Sequence, residues 1–475
     1  MSRSVGWYAR RLSRMGPAEV LGRAGDHARQ LTWAPRQQRP GQPVAVPAGL
    51  RDVRDLATPV PYDARGSVPE EARRAVLHAA DDLVRGEWTV FGELRTDLRD
   101  PDWFLDPASG RRAPQAQLAW RIDHRDESAT GNVKSVWELS RHHHLTVLAA
   151  AWWLTGDETY AELVDAHLRS WWRENPFLSG VHWTSGIELG IRLTSWVWVR
   201  RLLHDWPKVG DLFEANPEAL QQIWCHQHYL AAFPSRGSSR NNHAVAEDSG
   251  LLTAACAFPW FAETDRWREL ASRRLVRDLA ANTFESGVNR ELATDYHRFV
   301  TELGLLAAVE AGASGHDVGD PTWTVLVRSL DAAAAMLDVR GNPPRQGDGD
   351  EGRAVLLDGP DVDPWSLLLG MGGTVVGARP WWPATHGSVA ATLLAALAPS
   401  SRRVAGRPET RPARFEDAGI HLLRSRPEDG PEIWCRCDGG PHGFLSIAAH
   451  AHADALSVEV RHDGSEVLVD PGTYC

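Results

Sequence analysis

Apolar residues recur every three or four positions over most of this chain, from about residue 68 to 400. PEEARRAVLHAADDLVRG, HLTVLAAAWWLTGDETYAELVDAHLRSWWREN, ELGIRLTSWVWVRRLLHDW, EALQQIWCHQHYLAAF and ATDYHRFVTELGLLAAVEAG are among the stretches with this period, and Gly, Pro or Asn punctuates the joints. The pattern predicts on the order of ten or more helices with no strands alternating between them. No fixed sequence period runs through them, which favours helical hairpins closed into a ring over a regular solenoid. Before them, residues 1–65 carry a basic amphipathic helix pattern and a connector rich in proline (Pro35, Pro40, Pro43, Pro47).

After the basic joint SSRRVAGRPETRPARF the period becomes two. AGIHLLRS, EIWCRCD, FLSIAAHAHADALSVEVRHD and SEVLVD read as strands, and Asp463-Gly464 marks a hairpin turn. The expected organisation is therefore an N-terminal helix and connector (1–65), a domain of helical hairpins (66–405) and a β-domain (406–475). With only about 75 residues before the chain stops at Cys475, inside a strand-and-turn pattern, the β-domain reads as the opening of a larger one.

Composition narrows the function classes. The net charge of -11 and the lack of a basic run exclude nucleic acid as the general partner. No segment reaches the ~18 apolar residues of a membrane span, and MSRSVGWYARRLSRMGPAEVLG lacks the apolar core of a signal peptide. Five cysteines, scattered and odd in number, form no disulfide framework. The 22 tryptophans exceed the Tyr and Phe counts combined; indole faces stack on sugar rings, although most of these residues sit at helical spacing and suit a core.

Five motifs carry candidate chemistry. In AHAHADALSVEV, His450, His452 and Asp454 alternate with alanines, so a strand would place all three on one face as a proton-transfer or metal site. In SSRNNHAVAEDSG, Arg240, Asn241, Asn242 and His243 stand where a polar loop enters an apolar helix, and Ser238, Ser239 or Asn241 can cap it; such an N-terminus holds carboxylates. In ELATDYHRFVTELG, Thr294 is a candidate cap that puts Asp295, Tyr296, His297 and Arg298 in the first turn, where a Tyr beside His and Arg suits proton transfer. WTSGIELGIRLTSW holds Glu188 and Arg192 four apart between Trp183 and Trp196, read either as an ordinary helical pair or as the lining of a sugar-binding groove. RQGDGDEGR places Asp348, Asp350 and Arg353 in a glycine-rich loop too poor in ligands for calcium but suited to contact a substrate at a domain joint.

NNH at 241–243, TDYHRF at 294–299, GDGDEGR at 347–353, HAHADALSVEV and LVDPGTY, with WELSRHHHL and WTSGIELGIRL, together resemble the heparinase II/III family of polysaccharide lyases. The likeness runs from about residue 70 onward. It implies an α/α toroid followed by an antiparallel β-sandwich, of which this chain holds the first strands. It implies β-elimination on a polysaccharide containing uronic acid, an anionic partner. By the same likeness Asn242 (or Asn241) would neutralise the uronate carboxylate with help from His243. Tyr296 would shuttle protons, and His450 would act as base or charge stabiliser. Arg240, Arg192, Arg298, Glu188, Trp183 and Asp348 would line the substrate cleft. A structural zinc would be held by His452 and Asp470, with its third ligand expected beyond Cys475. The sequence leaves open whether Tyr296 or His450 is the base. The absent signal points to the cytoplasm, whereas the substrate class favours the periplasm or secretion. Three alternatives stand beside this one: a metal-dependent hydrolase, since His-x-His-x-Asp resembles the metallo-β-lactamase signature although Ala455 stands where that family has a His; an α/α-toroid glycoside hydrolase using Glu188, Asp295 or Asp348; and a polysaccharide-binding protein without catalysis.

Overall fold

The computed structural model describes residues 17–349, 352–398, 402–445 and 448–472. The helices that build it are α1 (Pro17–Trp33), α2 (Glu70–Arg85), α3 (Val133–Ser140), α4 (His143–Thr155), α5 (Glu158–Glu174), α6 (Gly186–Leu202), α7 (Pro217–Ala232), α8 (Asn242–Ala257), α9 (Thr264–Asn282), α10 (Thr294–Ala313), α11 (Asp320–Met336), α12 (Pro364–Val376) and α13 (Val389–Leu397). Short joints make successive helices hairpins. Between α4 and α5, Gly156 ends one helix in the left-handed region and Asp157 caps the next by accepting from the Thr159 N–H. Outer helices such as α2 and α5 bury one stripe, whereas α6, α8 and α10 are buried on nearly every face. The architecture is an α/α toroid joined to a small antiparallel sheet.

Contrary to the all-helical expectation, a hairpin interrupts the helices: β1 (Trp88–Val90) pairs with β2 (Glu93–Arg95) across a Phe91-Gly92 turn. The tryptophan excess is core rather than sugar platform, for Trp103, Trp171, Trp172, Trp183, Trp196, Trp206, Trp260 and Trp434 are all fully buried. Among the described residues no helix is long and apolar enough to cross a membrane.

α8 is the centre of the packing and touches α6, α9 and α10. It approaches α6 at backbone contact: a Cβ on Gly250 would lie 2.2 Å from the Gly190 carbonyl oxygen, and one on Gly190 would lie 2.4 Å from that of Ala246. Only hydrogen fits there, and the crossing sets where the N-terminus of α8 emerges.

The sheet runs β3 (Arg414–Phe415), β4 (Ile420–Arg424), β5 (Ile433–Asp438), β6 (Val458–His462) and β7 (Ser465–Leu468) in sequential order. Asp463 and Gly464 make the β6–β7 turn with positive φ at both positions. The inner face packs Phe415, Ile420, Leu422 and Trp434 against Ala332, Ala335 and Met336 of α11. The opposite face carries Leu423, Ile433 and Val458, all exposed. The expected strand from Ala449 to Val460 is shorter than its alternation implies. Apart from an isolated Phe444–Ala449 bridge, residues 448–457 are turns and loop, and the ladder with β5 begins only at Val458.

A cluster of neutral imidazoles lies inside the toroid. Burial holds His167 down to about 4 and His182 to about 3, and it holds His142, His144 and His226 well below the ordinary value. Unfolded, these rings take a proton near pH 6.5. Their contribution to stability is therefore complete above pH 6.5 and is lost as the pH falls towards 4 and 3, at about 3 kcal/mol for His167 alone. Melting followed by circular dichroism should show Tm flat from pH 7 to 8 and falling steeply between pH 6 and 4; a flat curve across that window would remove the cluster from the stability of the fold. Gly250→Ala should cost about 3 kcal/mol, read as a drop of several degrees in Tm.

Candidate active site

Four segments meet where the toroid faces the sheet: the start of α8, the stretch leading into α10, the linker at 345–349 and the loop at 448–454. Asn241 caps α8, accepting from the His243 N–H through its side-chain oxygen. The first amide of this helix, the Asn242 N–H, points at the carboxylate of Glu291, which is completely buried. Glu291 Oε1 accepts from the Asn242 backbone N–H (3.0 Å), and Oε2 accepts from Asn242 Nδ2 (2.7 Å) and Asn241 Nδ2 (3.0 Å). Burial pushes the Glu291 carboxyl above its usual value, against the opposing pull of His450 and the asparagine donors.

His450 closes the group. Its Nε2 lies 3.1 Å from Asn242 Nδ2 and 3.4 Å from Glu291 Oε2, and its Nδ1 lies 2.8 Å from Asp348 Oδ1. Tyr296 stacks on its ring with centroids 3.6 Å apart and planes 25° from parallel. His450 itself has φ +64, an uncommon conformation held from both sides by the loop. The Asp348 N–H donates to the His450 carbonyl (2.9 Å), Gly347 N–H donates to Asp454 Oδ2 (2.6 Å), and Thr294 N–H donates to the Gln346 carbonyl (2.9 Å). The linker thus binds the 448–454 loop to the start of α10.

The structure brings Asn241, Asn242, Tyr296, Asp348 and His450 together, with His243 half-buried in the first turn of α8. It corrects several other expectations. Trp183 is fully buried and donates through Nε1 to the Asn175 carbonyl, so it lines no groove. Glu188 and Arg192 do not pair with each other: Glu188 takes both arms of Arg141, while Arg192, wholly buried, donates to the Ser140 carbonyl and lies over Trp171. Arg298 is buried against Glu302 and the Gly352 carbonyl. Arg240 is spent on Asp278. Thr294 is the first residue of α10, not its cap, since no side chain caps that helix and Ala293 holds the cap position. His450 and His452 do not share a strand face. Asp350 and Cys475 lie outside the described residues.

Glu291 was missed as a site residue. Its signal was present: an acidic residue next to Leu-Ala with no basic residue three or four positions away, five before Tyr296.

His452 Nε2 lies 3.2 Å from Asp454 Oδ2 and 3.6 Å from Asp470 Oδ1, and it makes no hydrogen bond among the described residues. Asp454 is already engaged by Gly347. The expected zinc ligands His452 and Asp470 are thus neighbours, but no group of three His, Cys, Asp or Glu side chains able to hold a metal ion occurs among the described residues. Two ligands fall short of a structural zinc site.

Comparison with known proteins places these segments in a family. The heparinase II/III N-terminus model matches residues 104–318, which include Asn241, Glu291 and Tyr296, and the heparinase II/III-like C-terminal model matches residues 407–475, which include His450. Between them they take in more than half of the chain, and the chain belongs to the heparinase II/III family. The heparin-sulfate lyase of Pedobacter heparinus is 25% identical over 180 residues, 36% of this chain and 26% of that protein. That of Bacteroides stercoris is 25% identical over 179 residues, 34% of this chain and 26% of that protein. A crystal structure of heparinase III shares the fold with a TM-score of 0.52 at 14% identity, over 96% of this chain and 64% of that one. The chain thus spans about a quarter of the length of the sequence relatives it matches and just under two thirds of that structural one.

Gly347 has φ +71, and a Cβ there would lie 2.4 Å from the Ala293 Cβ and 2.9 Å from the His450 carbonyl oxygen. Gly347→Ala should therefore displace Asp348 from His450 at a cost of about 1–3 kcal/mol. Nitrogen-15 spectra of the histidine side chains should show the His450 resonances move while those of buried His182 stay put; unmoved His450 signals would contradict this role for the linker.

Proposed function

We propose that this protein cleaves an acidic, uronate-containing polysaccharide by β-elimination. The observation that carries the reading is the Tyr296–His450 stack, held to the N-terminus of α8 through Asn242 and Glu291. The heparin-sulfate lyases among its relatives support the same substrate class. In the reaction the proton on C5 of the uronate leaves, its electron pair forms the C4–C5 double bond, and the C4–O bond breaks as the departing oxygen takes a proton.

Both ring nitrogens of His450 are engaged, one by Asp348 and the other by Asn242 and Glu291. Taking a substrate proton would displace one of these partners, so His450 acts here as a stabiliser of charge. Tyr296 is then the shuttle: its phenolate oxygen takes the C5 proton and returns it to the departing oxygen on the same face of the sugar. Asn242 is the expected anchor for the uronate carboxylate, yet its amide already serves Glu291. Burial favours the protonated form of Glu291, and a second carboxylate beside it favours that form further. The two carboxyl groups then share one proton, which offsets the charge that builds on the uronate as C5 loses its proton.

The test is incubation with heparan sulfate, heparin, hyaluronan and alginate, following the ultraviolet absorbance of an unsaturated uronyl end together with reducing ends. Both should rise, and Tyr296→Phe should lower both by about 10²–10⁴-fold. New reducing ends without the absorbance would overturn the lyase reading in favour of a hydrolase.

A further inference from the structure

We propose that Phe91, at the tip of the β1–β2 hairpin, is a stacking platform for a pyranose ring of the bound polysaccharide, with Arg125 in the same cleft as an anchor for an acid group of the chain. The inference rests on the polysaccharide reading above but not on the lyase chemistry. Phe91 lines a cleft of about 1510 Å³ that also contains Thr294, Asp295 and Gly347, the neighbours of Tyr296 and Asp348. The hairpin packs on α3, which presents Trp137 to the same cleft, and the His124 ring lies 5.3 Å from Trp137. Arg125, exposed, is the next residue along this wall, its backbone N–H fixed by Asp123 Oδ1 at 3.2 Å.

The backbone supplies the second observation. Phe91 and Gly92 have φ +48 and +79, so Phe91 occupies a turn position that favours Asn, Asp or Gly. A bulky residue there is strained. Trp88, three residues earlier, packs against the hydrophobic core, whereas Phe91 is half-buried at the cleft wall and is not part of that core. An aromatic ring that strains its turn and contributes nothing to the core is accounted for by what enters the cleft. A flat apolar ring and a cation lining one cleft suit an acidic sugar chain, which offers both apolar ring faces and carboxylate or sulfate groups.

The test separates this role from a structural one, because Phe91→Asn relieves the turn. With every protein carrying Tyr296→Phe so that no ligand is consumed, binding of heparan sulfate, hyaluronan and alginate hexasaccharides is measured by calorimetry. The expected result is that Phe91→Asn raises Tm yet weakens binding of the preferred hexasaccharide at least fivefold, that Phe91→Tyr restores it, and that Arg125→Ala weakens acidic but not carboxyl-reduced oligosaccharides. Unchanged affinity in Phe91→Asn, or no binding of any of the three by the parent protein, overturns the proposal. Binding lost in Phe91→Asn while the native protein releases no unsaturated product would uphold the platform and reject the lyase reading.

Discussion

The site is organised around one buried charge. Glu291 lies fully buried in the interior, and an unpaired carboxyl there would cost several kcal/mol. Its oxygens are met by the cap and first residue of α8 and, at 3.4 Å, by a histidine from the far end of the chain. Each of these groups is thereby fixed. The Asn242 amide nitrogen is shared between Glu291 Oε2 and His450 Nε2, so turning it away would loosen both contacts, and His450 gains a reason to enter the toroid. The same requirement explains the Gly190–Gly250 crossing, since a wider separation between α6 and α8 would lift the helix N-terminus off the carboxylate it satisfies.

The sheet reaches this site through an electrostatic clamp of its own. Arg461 binds Asp338 and the carbonyls of Asn342 and Pro343, Arg436 reaches the Arg345 carbonyl, and Glu459 accepts from the Arg345 N–H. All three charged side chains sit on the inner face of the sheet and are fully buried, so removing any one leaves an uncompensated charge worth about 3–5 kcal/mol. The linker held this way continues directly into Gly347 and Asp348. The position of the sheet therefore sets the position of the acceptor on His450 Nδ1. The candidate site lies at the joint of toroid and sheet, where each part closes hydrogen bonds of the other.

The toroid and the change to a sheet were legible because both are written in local periodicity, which burial on one face enforces residue by residue. Asn241, Asn242, Tyr296 and His450 were legible because polar groups clustered at element ends are costly without a partner. Trp183, Glu188, Arg192 and Arg298 were misread as groove residues. Their motifs look chemical, but whether an arginine faces a cleft or a core depends on which helix lies opposite, and spacing along one helix carries no such information. Glu291 showed in the sequence only as an acid with no basic residue three or four positions away; its role was hidden because its partners come from positions 241, 242 and 450, and only the tertiary fold joins them.

The alternation in AHAHADALSVEV misled for a more specific reason. As a strand it would point His450 and His452 in one direction. The chain instead takes positive φ at Ala448, His450 and Leu456, conformations that break pairing and cost on the order of 1–3 kcal/mol each. That expense separates the two imidazoles. His450 goes to Glu291 and Asp348, while His452 goes to Asp454 and Asp470. The Gly347–Asp454 hydrogen bond holds the loop in its broken form, so the linker that places Asp348 also prevents the strand from zipping up through His450. Strain near the cleft is thus the means by which one short segment sends its two imidazoles to two separate groups of carboxylates, above a toroid that buries a continuous core.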